Sequence, residues 1–154
     1  MIVGNNHLVT DSLNGYQEQQ QFTLTRLMPT SILVVENNDF LRRTLRWWLT
    51  MKFPHCRIVE VTNEVEALLV IEAHTPHIAI VDMTYSQRSR KMIAQLKTIT
   101  PRLKIIALTF REDEINYADS LSDDVNVYIS HEKIQTTLHP ALSKLLSACQ
   151  DPEC

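Results

Sequence analysis

Apolar residues along this chain gather in short unbroken runs that stop on polar groups. Ile78-Ala79-Ile80-Val81 ends on Asp82, Ile32-Leu33-Val34-Val35 on Glu36, and Ile105-Ile106-Ala107-Leu108 on Thr109. Runs of this length without alternation predict strands buried on both faces. Arg57-Ile58-Val59-Glu60-Val61-Thr62 alternates and predicts an edge strand, and residues 125–129 predict the last strand. Five strands alternating with five helices predict an α/β fold, a doubly wound parallel sheet with helices on both faces and right-handed crossovers.

The helical stretches carry their own start and stop signals. Asn38 or Asp39 caps a helix running to about Lys52, with Leu41, Leu45, Trp48 and Lys52 at helical spacing. Trp47 cannot share all of that stripe with Trp48, so it is expected at the boundary between core and surface, half covered by neighbours, with a docking anchor as the alternative. Asn63 caps a second helix reaching about His74, on which Val65, Leu68, Leu69 and Glu72 mark a mixed apolar face. Met92, Ile93, Leu96 and Ile99 mark a third, stopped by Pro101, and Glu112-Asp113-Glu114 suits the first turn of a short fourth. Thr137 is expected to cap the last helix, over about 138–148. Pro140 is tolerated only in a first turn, which leaves residues 131–136 as a connection.

Residues 1–30 are polar, hold no sustained apolar period and predict a mobile tail. The domain is expected over 31–148, with a short tail at 149–154. The length of 154 residues suits one domain with a real core. A formal net charge of −3 argues against a surface that is basic throughout, and so against a nucleic-acid binder of that kind. The two glycines, Gly4 and Gly15, both lie near the start, so glycine-rich phosphate loops are absent. Three cysteines without a CxxC pair fit a reducing compartment. With no leader-like or membrane-spanning run, a cytoplasmic protein is expected.

Strand ends carry the candidate chemistry. In a sheet of this kind ligands bind outside the carboxyl ends of the strands at the switch point, where Glu36, Asn37, Asp82, Thr109 and the loop holding His131 would meet. The oxygen-rich set suits a hard cation such as Mg2+, which uses one or two carboxylates and keeps several waters. His74 and His77 also stand at a metal-like spacing. They fall in a loop with no cysteine nearby, short of the three or four ligands zinc needs, and are not expected to bind metal.

Taken in order, Ile32-Leu33-Val34-Val35-Glu36-Asn37, Ile80-Val81-Asp82-Met83, Ile106-Ala107-Leu108-Thr109 and Val127-Tyr128-Ile129-Ser130-His131 resemble the receiver domain of bacterial response regulators over about residues 31–148. The resemblance implies a flavodoxin-like sheet of order 2-1-3-4-5. It also implies that Asp82 is the phosphoacceptor, Thr109 the hydroxyl that meets the phosphoryl oxygen and Tyr128 the aromatic switch. Glu36 and Asp82, with the backbone carbonyl of Thr84, would hold Mg2+.

The chain also departs from the family pattern. Asn37 stands where a second acid is usual, which weakens the metal site. His131 replaces a lysine after the last strand, and Ser86 and Arg90 stand where proline and glycine are usual after the phosphoacceptor. A lysine would be charged at every physiological pH, whereas an imidazole loses its charge within that range. A charge-assisted hydrogen bond is worth about 1.5–3 kcal/mol, so the replacement weakens switching by roughly one to two decades. Arg88, Arg90 and Lys91 offer a compensating cation over the phosphoryl group. The plainer reading is a solvated basic helix start, although cations there oppose the helix dipole and so have no obvious local stabilising role.

These features lead to a stand-alone, atypical receiver-like signalling protein with impaired phosphorylation at Asp82, acting through protein contacts. Its expected partners are a histidine kinase or another signalling protein, and a second copy of the chain. The alternatives are a phosphorylation-independent pseudo-receiver that docks, and a small flavodoxin-like enzyme using Asp82 and His131 as an acid–base pair. DNA binding through Arg42, Arg43 and Arg46 or the Arg88 cluster is disfavoured by the acidic balance.

Overall fold

The computed structural model describes residues 29–84, 86–110 and 123–149. Five strands form one parallel sheet: β1 (Ser31–Val35), β2 (Arg57–Val61), β3 (Ile78–Asp82), β4 (Lys104–Thr109) and β5 (Val127–Ser130). Their order is β2-β1-β3-β4-β5, so β2 is an edge and the three unbroken apolar runs lie side by side in the centre. The register pairs Val35 with Val81 and Val81 with Ala107, which brings the carboxyl ends of β1, β3 and β4 to one edge.

Among the described residues there are four α-helices: α1 (Asp39–Lys52), α2 (Glu64–His74), α3 (Ser86–Ile99) and α4 (Ile134–Ala148). The helix expected to open at Glu112 and the tail over residues 1–28 lie outside the described residues. Side chains alternate between two core layers. Leu33, Ala79, Val81 and Ile105 face a layer with Ala67 and Ile71 of α2 and Ile93 and Leu96 of α3. Ile32, Ile80, Ile106 and Leu108 face another with Leu45 and Leu49 of α1 and Leu138 and Leu142 of α4. The central strands are fully covered, as helices on both faces require.

Asn38 caps α1 by accepting from the Leu41 N–H at 3.0 Å, and Asn63 caps α2 from the Glu66 N–H at 3.0 Å. The inward seam of α1 is turned from the expected one: Arg42, Leu45 and Leu49 are buried, while Leu41 and Trp48 are half-buried. Arg42 is drawn inward because its guanidinium donates to the Glu36 carbonyl at 3.0 Å and pairs with Asp39. Trp48 closes the seam edge-on against Phe53 and His139. Trp47 is 65% exposed rather than half covered, on the outer face with Phe40 and Met51. On α2, Val65 and Leu69 face solvent while Ala67 and Ile71 are buried. Apolar residues surround that helix, so periodicity alone did not mark the seam.

Three boundaries differ from the sequence expectation. Helix α3 begins already at Ser86, so Arg88, Arg90 and Lys91 sit on the helix rather than in a loop. Strand β5 begins at Val127 instead of residue 125, because Asn126 pairs with Ile105 twice, through its N–H at 2.9 Å and its side-chain Oδ1 at 2.8 Å. Most plainly, α4 starts at Ile134 after a 3-10 turn over His131–Lys133, with Pro140 inside it and no cap from Thr137. Pro140 lies on the exposed face, where water can satisfy the Thr136 carbonyl left without its donor, and the burial of Leu138 and Leu142 outweighs the lost bond.

Candidate functional site at the carboxyl edge of the sheet

Glu36 follows β1 and is only 3% exposed. One carboxylate oxygen, Oε1, accepts from the Asn38 N–H at 2.8 Å. The other, Oε2, is buried with no hydrogen-bond partner. Burial, and after it the nearby Asp82 charge, push the carboxyl from 4.5 up to about 7, against the lowering effect of the Asn38 N–H and Arg42. A carboxylate kept at that cost, with an oxygen unsatisfied, suits a place that a cation would complete.

Asp82 ends β3, and its side chain is 10% exposed. Its Oδ1 accepts from the Thr84 hydroxyl at 2.8 Å and the Thr84 N–H at 3.3 Å, a local turn that fixes the carboxylate. Ser89, on the first turns of α3, donates from Oγ to the Asp82 carbonyl at 2.9 Å. The His131 Nε2 stands 3.6 Å from the Asp82 Oδ1, within ion-pair reach but too far for a hydrogen bond, and is itself buried without a hydrogen-bond partner. Glu36, Asp82 and His131 each offer one ligand atom, and these atoms lie within 4.8 Å of one another.

Beside this cluster opens a cavity of about 420 Å3, lined by Asn37, Thr62, Asp82, Arg88, Ser89 and Met92 among others. Arg88 therefore shares a cavity with Asp82. Arg90 does not line it, since residues two apart on a helix face different ways. Thr109 is buried at the end of β4, in register with the buried Ser130, and Tyr128 is half-buried against the α2–α3 layer. Trp47 lies apart on the outer face of α1. Arg42 is held within the fold by the Glu36 carbonyl, and the exposed Arg46 pairs with Glu60 at 3.0 Å.

Sequence reasoning missed three contributors. Arg42 holds the Glu36 carbonyl, Ser89 holds the Asp82 carbonyl, and Phe110 lies edge-on to the His131 ring with centroids 6.2 Å apart. The separation of Arg42 from Glu36, across a cap and one helical turn, was the available signal for the first. His77, by contrast, is structural: its Nδ1 accepts from the Ser31 N–H at 3.1 Å, and its own N–H donates to the Ser31 carbonyl at 3.0 Å. Among the described residues no helix is long and apolar enough to cross a membrane.

The family model of the response regulator receiver domain matches residues 32–143. No curated protein matches the sequence. Among solved structures, the chain is similar to a response regulator receiver domain protein from Clostridium thermocellum, with 17% identity and a TM-score of 0.69, covering 79% of this chain and 97% of that one. A response regulator from Thermotoga maritima, in complex with Mg2+ and BeF, matches with 23% identity and a TM-score of 0.65, covering 75% and 98%. A LuxR-family DNA-binding response regulator from Staphylococcus aureus matches with 20% identity and a TM-score of 0.64, covering 75% and 98%. At such identities these structures speak for the fold.

Proposed function

The chain belongs to the response regulator receiver domain family, and from that premise we propose that it is a signalling domain that accepts a phosphoryl group on Asp82 with weakened efficiency and acts through protein contacts. The observation that carries this reading is the position of Asp82. It stands at the end of a fully buried strand, within cation-sharing distance of a buried and unsatisfied Glu36, beside a cavity that Arg88 also lines.

The donor set fits a divalent cation. Glu36 and Asp82 would hold Mg2+ with the Thr84 carbonyl, and the ion would screen the charge gathering on the phosphoryl oxygens. An Asp82 oxygen attacks phosphorus, the bond from phosphorus to the donor atom breaks (P–N for a phosphohistidine), and the leaving group keeps the electron pair. Thr109 takes the phosphoryl oxygen and Tyr128 responds to its movement. Arg88 supplies a positive charge from the cavity side. His131 stands in place of a permanently charged lysine.

Phosphoryl supply calls for a histidine kinase, and output passes to another signalling protein or to a second copy of the chain. A cytoplasmic location goes with the free thiol of Cys56. Asn37 and His131 favour a second reading, in which the fold docks without being phosphorylated. Intact-mass measurement after incubation with Mg2+ and a small phosphodonor separates the two. A single phosphoryl adduct, absent in Asp82→Asn, is expected; an unmodified wild-type mass would leave the docking reading.

A further inference from the structure

We propose that the Glu36, Asp82 and His131 cluster is a three-ligand site for a borderline first-row divalent cation, Zn2+ foremost, and that the ion held there blocks Asp82. This rests on the reading of the pocket as a cation site, not on phosphoryl transfer taking place.

The donor chemistry points this way. Mg2+ prefers oxygen ligands in a strict octahedron, whereas imidazole nitrogen suits zinc and its neighbours. His131 Nε2 faces the two carboxylates with no hydrogen-bond partner, and Glu36 Oε2 is likewise buried and unpartnered. Ligands about 2.0–2.1 Å from a tetrahedral zinc stand roughly 3.4 Å apart. The 3.6 Å between His131 Nε2 and Asp82 Oδ1 is already close to that edge, and all three donors fall within 4.8 Å. Two carboxylates and a neutral imidazole also balance a divalent charge, leaving a fourth position open to water.

The surrounding residues hold these ligands in place. Thr84 donates twice to Asp82 Oδ1, the Asn38 N–H fixes Glu36 Oε1, and the Phe110 edge lies against the His131 ring. Outer partners of this kind orient metal ligands and tune their affinity. His131 opens the 3-10 turn leading into α4, so the ion would tie that turn to the ends of β1 and β3. Zinc and Mg2+ would share Glu36 and Asp82 and so exclude one another, and the tighter zinc would inhibit the phosphorylation of Asp82 that uses Mg2+.

Equilibrium dialysis of the full chain against Zn2+, against Mg2+, and against Co2+ followed by visible absorption tests the site. The expected result is one Zn2+ per chain bound more tightly than Mg2+, with an intense tetrahedral Co2+ spectrum. His131→Lys should lose at least about tenfold in Zn2+ affinity, the scale on which even outer partners matter, while Mg2+ binding and the melting temperature hold. Glu36→Gln should lose both ions. His74→Ala should bind as the wild type does. Zinc retained by His131→Lys, zinc lost in His74→Ala, or Mg2+ held more tightly than Zn2+ would each overturn the inference. Mass analysis with phosphodonor is the separate arm: zinc should suppress the adduct in the wild type and spare it in His131→Lys. A protein that binds zinc through His131 but never forms the adduct, even without zinc, would overturn the phosphoacceptor reading and keep the metal site.

Discussion

Glu36 carries the largest tension of any single residue. Its carboxyl is pushed up to about 7 by burial, from 4.5 in an open chain, so the folded state holds the proton between those values while the unfolded chain has released it. Stability from this group therefore falls as the pH rises from about 4.5 to 7, and the full cost is present above 7. At about 1.4 kcal/mol per pH unit, that gap bounds the cost at about 3 kcal/mol. Glu36→Gln removes the charge and keeps the shape. In urea denaturation at pH 8 it should stabilise the protein by about 1–3 kcal/mol and show little effect at pH 4.5, at the expense of cation binding. An unchanged midpoint at pH 8 would mean that the buried carboxylate is already compensated.

At the scale of elements, Thr75 shows where local rules are broken. It ends α2 in the left-handed region with φ 39°, donating its N–H to the Ile71 carbonyl at 3.2 Å. That conformation costs a residue with a Cβ about 1–2 kcal/mol and a glycine almost nothing. Thr75→Gly should stabilise the fold by about 1 kcal/mol after the extra freedom of glycine in the unfolded chain is subtracted. A thermal melt checks it, and a lower melting temperature would show that the Thr75 side chain makes good the strain.

Elements whose signal is local were legible in the sequence. The runs ending on Glu36, Asp82 and Thr109 became the central strands, and Asn38 and Asn63 cap the expected helices. Where tertiary packing decides, the pattern fell short. Pro140 argued for a late start to α4, yet Leu138 and Leu142 bury fully and carry the helix through it. The seam of α1 turned toward Arg42 because of a bond to Glu36 that no periodicity records. The same limit applied to the site: strand ends placed Glu36, Asp82 and His131 together, but which atoms lacked partners depended on side-chain geometry.

Across the whole molecule the two ends of the sheet should respond to pH in opposite directions. His77 sits at the amino edge, away from Asp82, and joins three strands: it exchanges bonds with Ser31 of β1, precedes β3, and its carbonyl accepts from the Lys104 N–H of β4 at 3.0 Å. Burial lowers its pKa below 6.5, and its Nδ1 can accept from Ser31 only without a proton. With a folded value below the unfolded one, its stability is fully present above about 6.5 and is lost as the pH falls from there toward the folded pKa. Glu36 loses stability in the opposite sense over an overlapping range, so the two slopes should partly cancel in the wild type just below about pH 6.5. Each single variant uncovers the other group. Glu36→Gln should make stability rise with pH through this range as His77 gives up its proton. His77→Gln, whose amide oxygen can still accept from Ser31, should make it fall as Glu36 ionises. Urea midpoints at half-unit steps check both slopes, and parallel profiles for the two variants would show that neither group governs the pH response.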